Sequence, residues 1–128
     1  MANEITISMS MSASKGGASV NTVGATGPAS ASYDMTGADM SSGTVATSTT
    51  TAALSVGAVT APYRLYLCNL SSTSGEDIRV GNANADPITS LVSTLAPGDE
   101  CFLVVPSGTL YVESASGTPN LFYVAVEK

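Results

Sequence analysis

From Tyr63 onward, short apolar runs alternate with clusters of turn-forming residues, and this rhythm constrains the fold more than any other feature of the chain. The runs are YRLYLCNL (63–70), IRVGN (78–82), CFLVV (101–105), TLYVES (109–114) and LFYVAVE (121–127). Between them stand SSTSGED, NANADP, APGDE, VPSG and ASGTPN, all rich in Gly, Pro, Asn, Asp and Ser. Strands recurring about every eight to twelve residues between such turns belong to a small antiparallel sandwich or barrel.

Periodicity assigns the faces. In YRLYLCNL, Tyr63, Leu65 and Leu67 share one side and Tyr66, Cys68 and Leu70 the other. Both sides are apolar enough for a central strand. Ile78 and Val80 point inward and Arg79 outward, while Leu110 and Val112 oppose Tyr111 and Glu113. ITSLVSTL (88–95) is ambiguous: Ile88, Leu91, Val92 and Leu95 fall at helical spacing, but the β-branched content and the following Ala-Pro-Gly also allow a strand or an irregular crossing. In CFLVV all five residues are apolar. Whichever set faces the core, Cys101, Leu103 and Val105 or Phe102 and Val104, the other set needs cover from the amino-terminal arm or a neighbouring subunit.

Residues 1–61 have a different grammar. Ile5, Ile7, Met9 and Met11 alternate with polar residues, as in an edge or augmenting strand. Beyond them, residues 12–32 contain only Val20 and Val23 as sizeable aliphatics, and residues 36–53 only Met40 and Val45. Such segments build no core by themselves. They read either as a linker or as an extended arm ordered against the protein or a neighbour, contributing one or two strands. TSTTTAALSVGAV (47–59) places Leu54, Val56 and Ala58 at a period of two, a further strand candidate, and GATGP (24–28) redirects the chain. The expected organisation is an arm over residues 1–61 and a compact core over 62–128. The expected fold is all-β: a small antiparallel β-sandwich or jelly roll with an extended low-complexity arm. With no Trp in the chain, the immunoglobulin hallmark is missing.

The chemistry on offer is sparse. There is no His, which removes the commonest general base and metal ligand and excludes Ser-His-Asp or Cys-His catalysis within the chain. Lys15 and Lys128 lie in a Gly-rich segment and at the last residue, poor places for a desolvated Ser-Lys pair. Cys68 and Cys101 fit no metal-binding spacing and read as buried thiols rather than a disulfide. Ten acidic against four basic residues give a net charge of −6, against an electrostatic grip on nucleic acid. Only 11% of residues are charged, where about 25% is usual. Neither a secretory leader nor an apolar run of membrane-spanning length is visible, and no membrane contact is expected.

Two constellations remain. Asp77, Asp86, Asp99 and Glu100, with Glu76, fall in turns that could converge at one end of a sandwich, so a calcium ion or a carboxylate pair is conceivable. Ordinary turn chemistry explains the same residues without a ligand, and neither a metal nor a cofactor is expected. Tyr63, Tyr66, Tyr111, Tyr123, Phe102 and Phe122 could form a platform for sugar, or pack at a core edge or subunit interface.

The segments YRLYLCNLSSTSGEDIRVGN, ITSLVSTLAPGDECFLVVP and TLYVESASG resemble small β-sandwich structural proteins of tailed-bacteriophage virions. The likeness rests on Leu70, Ile78, Val80, Gly81, Pro97, Gly98, Phe102 and Leu103 and covers residues 63–128. It implies a non-enzymatic virion protein, first a capsid decoration or cement subunit stabilising the head lattice, next a head–tail, tail or fibre-associated component. The implied partners are further copies of the chain and a major capsid or other virion protein. Ile5, Ile7, Met9, Met11, Tyr63, Tyr66, Tyr111 and Phe122 are the interface candidates, with residues 1–61 making much of the inter-subunit contact. The alternative from another class is a carbohydrate-binding or adhesion module, which requires an exposed row of tyrosines.

Overall fold

The computed structural model describes residues 5–9, 12–15, 18–21, 29–33 and 39–127. Its strands are β1 (Ile5–Met9), β2 (Ser12–Lys15), β3 (Ala18–Asn21), β4 (Ala29–Tyr33), β5 (Met40–Ala46), β6 (Ala52–Ala53), β7 (Tyr63–Asn69), β8 (Ile78–Gly81), β9 (Leu91–Leu95), β10 (Glu100–Val105), β11 (Tyr111–Ser114) and β12 (Asn120–Glu127). The chain divides into two compact units, Met1–Thr36 and Gly37–Lys128.

In the first unit β1 pairs antiparallel with β4, Ile5 opposite Tyr33 and Met9 opposite Ala29. β2 pairs antiparallel with β3, Ser12 opposite Asn21 and Lys15 opposite Ala18. Strand pairing thus reaches into a stretch whose composition suggested a linker or arm. Met11 and residues 24–28 lie outside the described residues.

The second unit is built from two four-stranded antiparallel sheets. The first has the order β10-β7-β12-β5 and the second β6-β11-β8-β9. Alternate residues of each sheet meet in one cluster: Leu65 and Leu67 from β7 and Leu121, Tyr123 and Ala125 from β12 join Ile78 and Val80 from β8, Val112 from β11 and Leu95 from β9. This is a sandwich-like, all-β architecture.

The sandwich begins well before the boundary expected at residue 62. β5 pairs along β12 from Met40–Val126 to Ala46–Asn120, and Leu54, Val56 and Val59 belong to the core. Small residues make this possible. A Cβ on Gly43 would lie 3.3 Å from Cε1 and Oη of Tyr123. The Tyr123 hydroxyl is 3.2 Å from Ser41 Oγ. The poverty in large side chains that suggested an arm suits a strand lying over a tyrosine ring.

One local expectation is corrected and one ambiguity resolved. Residues 54–59 form no strand: β6 ends at Ala53, and Gly57 takes φ 70°, a left-handed turn that breaks the alternation. Leu54 and Val56 are buried as period two requires, but Val59 takes the inward place expected of Ala58. The ambiguous run resolves as strand β9. Its register against β8 shifts between Val80 and Gly81, so Leu91 faces Gly81 and Ser93 faces Val80 with Val92 extra. This bulge leaves both Leu91 and Val92 exposed. Helical spacing there was a coincidence of one core residue, Leu95, one residue packed against Gly81, Ile88, and two at a bulged edge.

Candidate functional site

Register settles which residues of CFLVV face the core. Cys101, Leu103 and Val105 pack against the core, with Val105 fully part of it. Phe102 and Val104 stand on the outer face of the first sheet. There Phe102 lies opposite Tyr66 and Val104 opposite Arg64, while Tyr66 lies opposite Val124, Arg64 opposite Val126 and Cys68 opposite Phe122. Three rows result: Glu100–Cys68–Phe122–Thr44, Phe102–Tyr66–Val124–Ser42 and Val104–Arg64–Val126–Met40. Val104 is 55% exposed and Met40 70%. Phe102, Tyr66, Phe122, Val124 and Val126 are half-buried. The rings of Tyr66 and Phe122 meet edge-on, 6.3 Å between centroids and 69° between planes, the favoured arrangement of two ring quadrupoles. The Tyr66 hydroxyl donates to Glu100 Oε2. This hydrogen bond, then burial and the carboxylate's charge, pushes the Tyr66 pKa up to about 12.

The second sheet carries on its outer face an ion pair whose carboxylate is buried. Glu113 on β11 lies opposite Arg79 on β8, and Arg79 Nη1 donates to Glu113 Oε1 at 2.8 Å. Glu113 is 2% exposed against 38% for the Arg79 side chain. Its other oxygen accepts from the Ile88 backbone N–H at 3.0 Å and from Thr51 Oγ1 at 2.7 Å. Thr51 Oγ1 is also 2.7 Å from the Ala85 carbonyl; with a single proton it donates to one acceptor at a time. Burial pushes the Glu113 carboxyl up, but the hydrogen bonds from Arg79, Thr51 and Ile88 together with the Arg79 charge outweigh it and hold the group below the usual carboxylate range.

Asn69 is a second polar hub and is fully buried. Its Nδ2 donates to the carbonyls of Glu76 at 2.9 Å and Leu95 at 3.0 Å, and its Oδ1 accepts from Ser71 N–H at 3.0 Å. Its backbone N–H donates to Asp99 O at 2.9 Å and its carbonyl accepts from Gly98 N–H at 3.0 Å. The side chain thereby ties the end of β7 to the turn before β8 and to β9 in the opposite sheet, and the Asn69 backbone ties it to the turn before β10. Sequence reading missed both Asn69 and Glu113. The sequence puts Arg79 and Glu113 on outward-facing positions, but only the register places them opposite each other.

The loop acids are not brought together. Asp99 closes its own turn: its Oδ2 accepts from Ala96 N–H at 3.0 Å and its N–H donates to Ala96 O at 2.9 Å, with Gly98 at φ 83°. Glu100 is engaged by Tyr66, Asp77 accepts from Ala115 N–H through its backbone carbonyl, and Asp86 is exposed in the loop after β8. Among the described residues no three His, Cys, Asp or Glu side chains cluster as a metal site requires. Cys68 and Cys101 are free thiols. They project to opposite faces of the first sheet, and burial, partly offset by a hydrogen bond with Ser93, pushes the Cys101 thiol up.

The interface candidates separate. Ile5, Ile7 and Met9 are on β1. Tyr66 and Phe122 share the outer face of the first sheet, and Tyr111 lies on the second sheet opposite Gly81 and Ala53. Tyr63 is corrected: in phase with Leu65 and Leu67, it points into the core and is buried. A cleft of about 350 Å³ at one end of the sandwich is lined by Leu54, Val56, Val59, Thr60, Ala61, Tyr63, Gly108 and Thr109, a set without carboxylate, thiol or amine.

No family model matches the chain, and no curated protein or solved structure matches it.

Proposed function

We propose that the chain is a non-enzymatic structural protein of a virus particle, a decoration or cement subunit that stabilises the head lattice, and that its compact unit is a jelly roll. Supporting the jelly roll is the distribution of the eight strands of the second unit: β5, β7, β10 and β12 in one sheet, β6, β8, β9 and β11 in the other. Every connection but β8–β9 passes between sheets, as in two interleaved Greek keys. Jelly rolls serve as capsid subunits and as lectins, so the fold alone does not choose between them.

The observation that carries the choice is the placement of the aromatic residues. A sugar platform needs tyrosines in an exposed row. Tyr63 and Tyr123 are buried in the core, and Tyr66 and Tyr111 belong to different sheets. The first sheet instead presents Phe102, Val104, Phe122, Val124, Val126 and Met40 in adjoining rows, a surface suited to another protein. Self-association and contact with a major shell protein both follow from this reading.

The test is the copy number of the chain in purified particles from its source, measured by quantitative mass spectrometry across a density gradient. A fixed ratio to the major shell protein supports a decoration role. A few copies per particle would move the chain to a head–tail, tail or fibre position, and absence from the particle band overturns the proposal. Val104→Glu, at an exposed position, should lower occupancy without lowering the melting temperature.

A further inference from the structure

The segment between β8 and β9, residues 82–90, turns back over the outer face of the second sheet. Ile88 is buried there. A Cβ on Gly81 would overlap Ile88 Cγ2 and lie 2.8 Å from the Ser90 carbonyl oxygen, so the close approach depends on glycine. At its base the segment is closed by Asn82 N–H to Ser90 O at 3.3 Å and Ser90 Oγ to Asn82 Oδ1 at 2.6 Å. Beyond the packing of Ile88 on Gly81, its middle is held from outside itself by two cross-segment contacts among the described residues, Ile88 N–H to Glu113 Oε2 and Thr51 Oγ1 to Ala85 O, and Thr51 Oγ1 is also within hydrogen-bond distance of Glu113 Oε2.

We propose that residues 82–90 form a strap that a single carboxylate holds shut, and that the strap opens as a unit, with the sandwich intact, when that carboxylate is protonated or removed. Three parts of the chain converge on Glu113: β8 through Arg79, the β5–β6 connection through Thr51, and the strap through Ile88. A carboxylate accepts all three donors on two oxygens. A carboxylic acid turns one oxygen into a donor and loses its attraction for Arg79. The charged or titratable groups on the surrounding elements are Arg79 on β8, Tyr111 on the same face of β11 and Asp86 in the strap; β6 contributes Ala52 and Ala53, and β9 places Thr94 opposite Arg79. Arg79 is thus the only cation among them. Since the carboxyl is held below its ordinary range, the strap stays shut at neutral and mildly acidic pH. Opening releases Ile88 and Arg79 and uncovers Gly81, presenting a new apolar and cationic patch beside the edge strand β9.

The experiment follows the isoleucine δ1-methyl resonances of the full chain from pH 7 into the acid range. Ile88 reports the strap and Ile78, wholly buried in the core, reports the sandwich. The Ile88 resonance should leave its buried position at a midpoint below the ordinary carboxylate range and before Ile78 moves. In E113Q, where the amide offers one acceptor oxygen for donors on two sides, the Ile88 shift should be displaced at pH 7 and its titration lost, which also separates Glu113 from Asp86. G81A should displace Ile88 at pH 7 with the carboxylate untouched. If E113Q does not fold, T51V, which removes one donor to the carboxylate, should move the midpoint upward. Ile88 moving only together with Ile78, or an unchanged titration in every folded variant, would overturn the proposal.

Discussion

Asn69→Ala removes three hydrogen bonds while leaving the backbone of β7 in place. The Leu95 carbonyl is the most exposed to harm, because its bond to Asn69 Nδ2 is buried. Leaving one such group unsatisfied costs about 1–3 kcal/mol. The bonds to Glu76 O and from Ser71 N–H are part-buried and are worth about 0.5–1.5 kcal/mol each, since solvent can reach the groups left behind. The sum is about 2–6 kcal/mol, a large share of the roughly 5–15 kcal/mol that stabilises a typical domain. At about 4–8 °C per kcal/mol for a unit of this size, the melting temperature should fall by about 10 °C or more. Urea unfolding followed by far-ultraviolet circular dichroism reads the effect, the chain having no tryptophan. The midpoint should drop with the slope unchanged. A loss below about 1 kcal/mol would refute the idea that Asn69 clamps the two sheets. Asn69→Asp sharpens the test: the buried acid faces two carbonyls and must be protonated in the folded state, so its folded pKa rises. That variant should therefore be most stable at low pH and weaken as pH rises.

Other expectations follow from the same geometry. Stability of the parent protein should be fully present above the unfolded-state carboxylate pKa and decline as pH falls through the depressed folded value of Glu113; Glu113→Gln should flatten that part of the pH–stability curve. Tyr66 should titrate at about 12, and Glu100→Gln should bring it back towards about 10 by carbon-13 resonance of the ring. Cys101 should react with iodoacetamide more slowly at pH 8 than a free thiol, and unfolding in urea should abolish the difference. Leu65→Ala, at a fully buried position of β7, should cost about 2–5 kcal/mol in the same urea assay.

The strands were legible wherever one face is buried, because period two then has to appear in the residues themselves. Tyr63, Leu65 and Leu67, Ile78 and Val80, and Leu121 and Ala125 all sit where alternation places them. Legibility failed where packing uses small residues or breaks the period. β5 reads MSSGTVA, and nothing in it announces a partner until Tyr123 is known to lie against Gly43. Gly57 interrupts the alternation through Leu54 and Val56 with a turn, and the bulge opposite Gly81 scatters Ile88, Leu91, Val92 and Leu95 among three environments. The polar hubs were hidden for a different reason. Asn69 ends a strand and Glu113 stands on an outward-facing position, both ordinary places for a solvated side chain. Only the turns and strap that fold over them bury them, and those are tertiary events with no local period.

The two outer faces of the sandwich solve different problems. On the second sheet, Gly81 makes room for Ile88, and a buried carboxylate is matched by Arg79, Thr51 and a backbone N–H. Burying that charge is tolerable only because each oxygen finds donors, and the arrangement fixes the course of one segment rather than adding much net stability. On the first sheet, the rows from Phe102 to Ser42 and from Val104 to Met40 expose mainly apolar groups, with Arg64 buried between Val104 and Val126 and Tyr66 half-buried between Phe102 and Val124. An apolar surface gains free energy from any partner that excludes water, at about 25 cal/mol per Å², without demanding a particular set of hydrogen bonds. Under the proposed assembly role, such a surface would serve contact between subunits. The sparse charge of the chain fits the same logic: with only 11% charged residues, few ionic groups would have to be desolvated or matched when surfaces meet. On these grounds the assembly reading predicts that charge introduced at Val104 or Met40 harms association far more than charge introduced at Leu70, which is also exposed but lies beyond the end of β7.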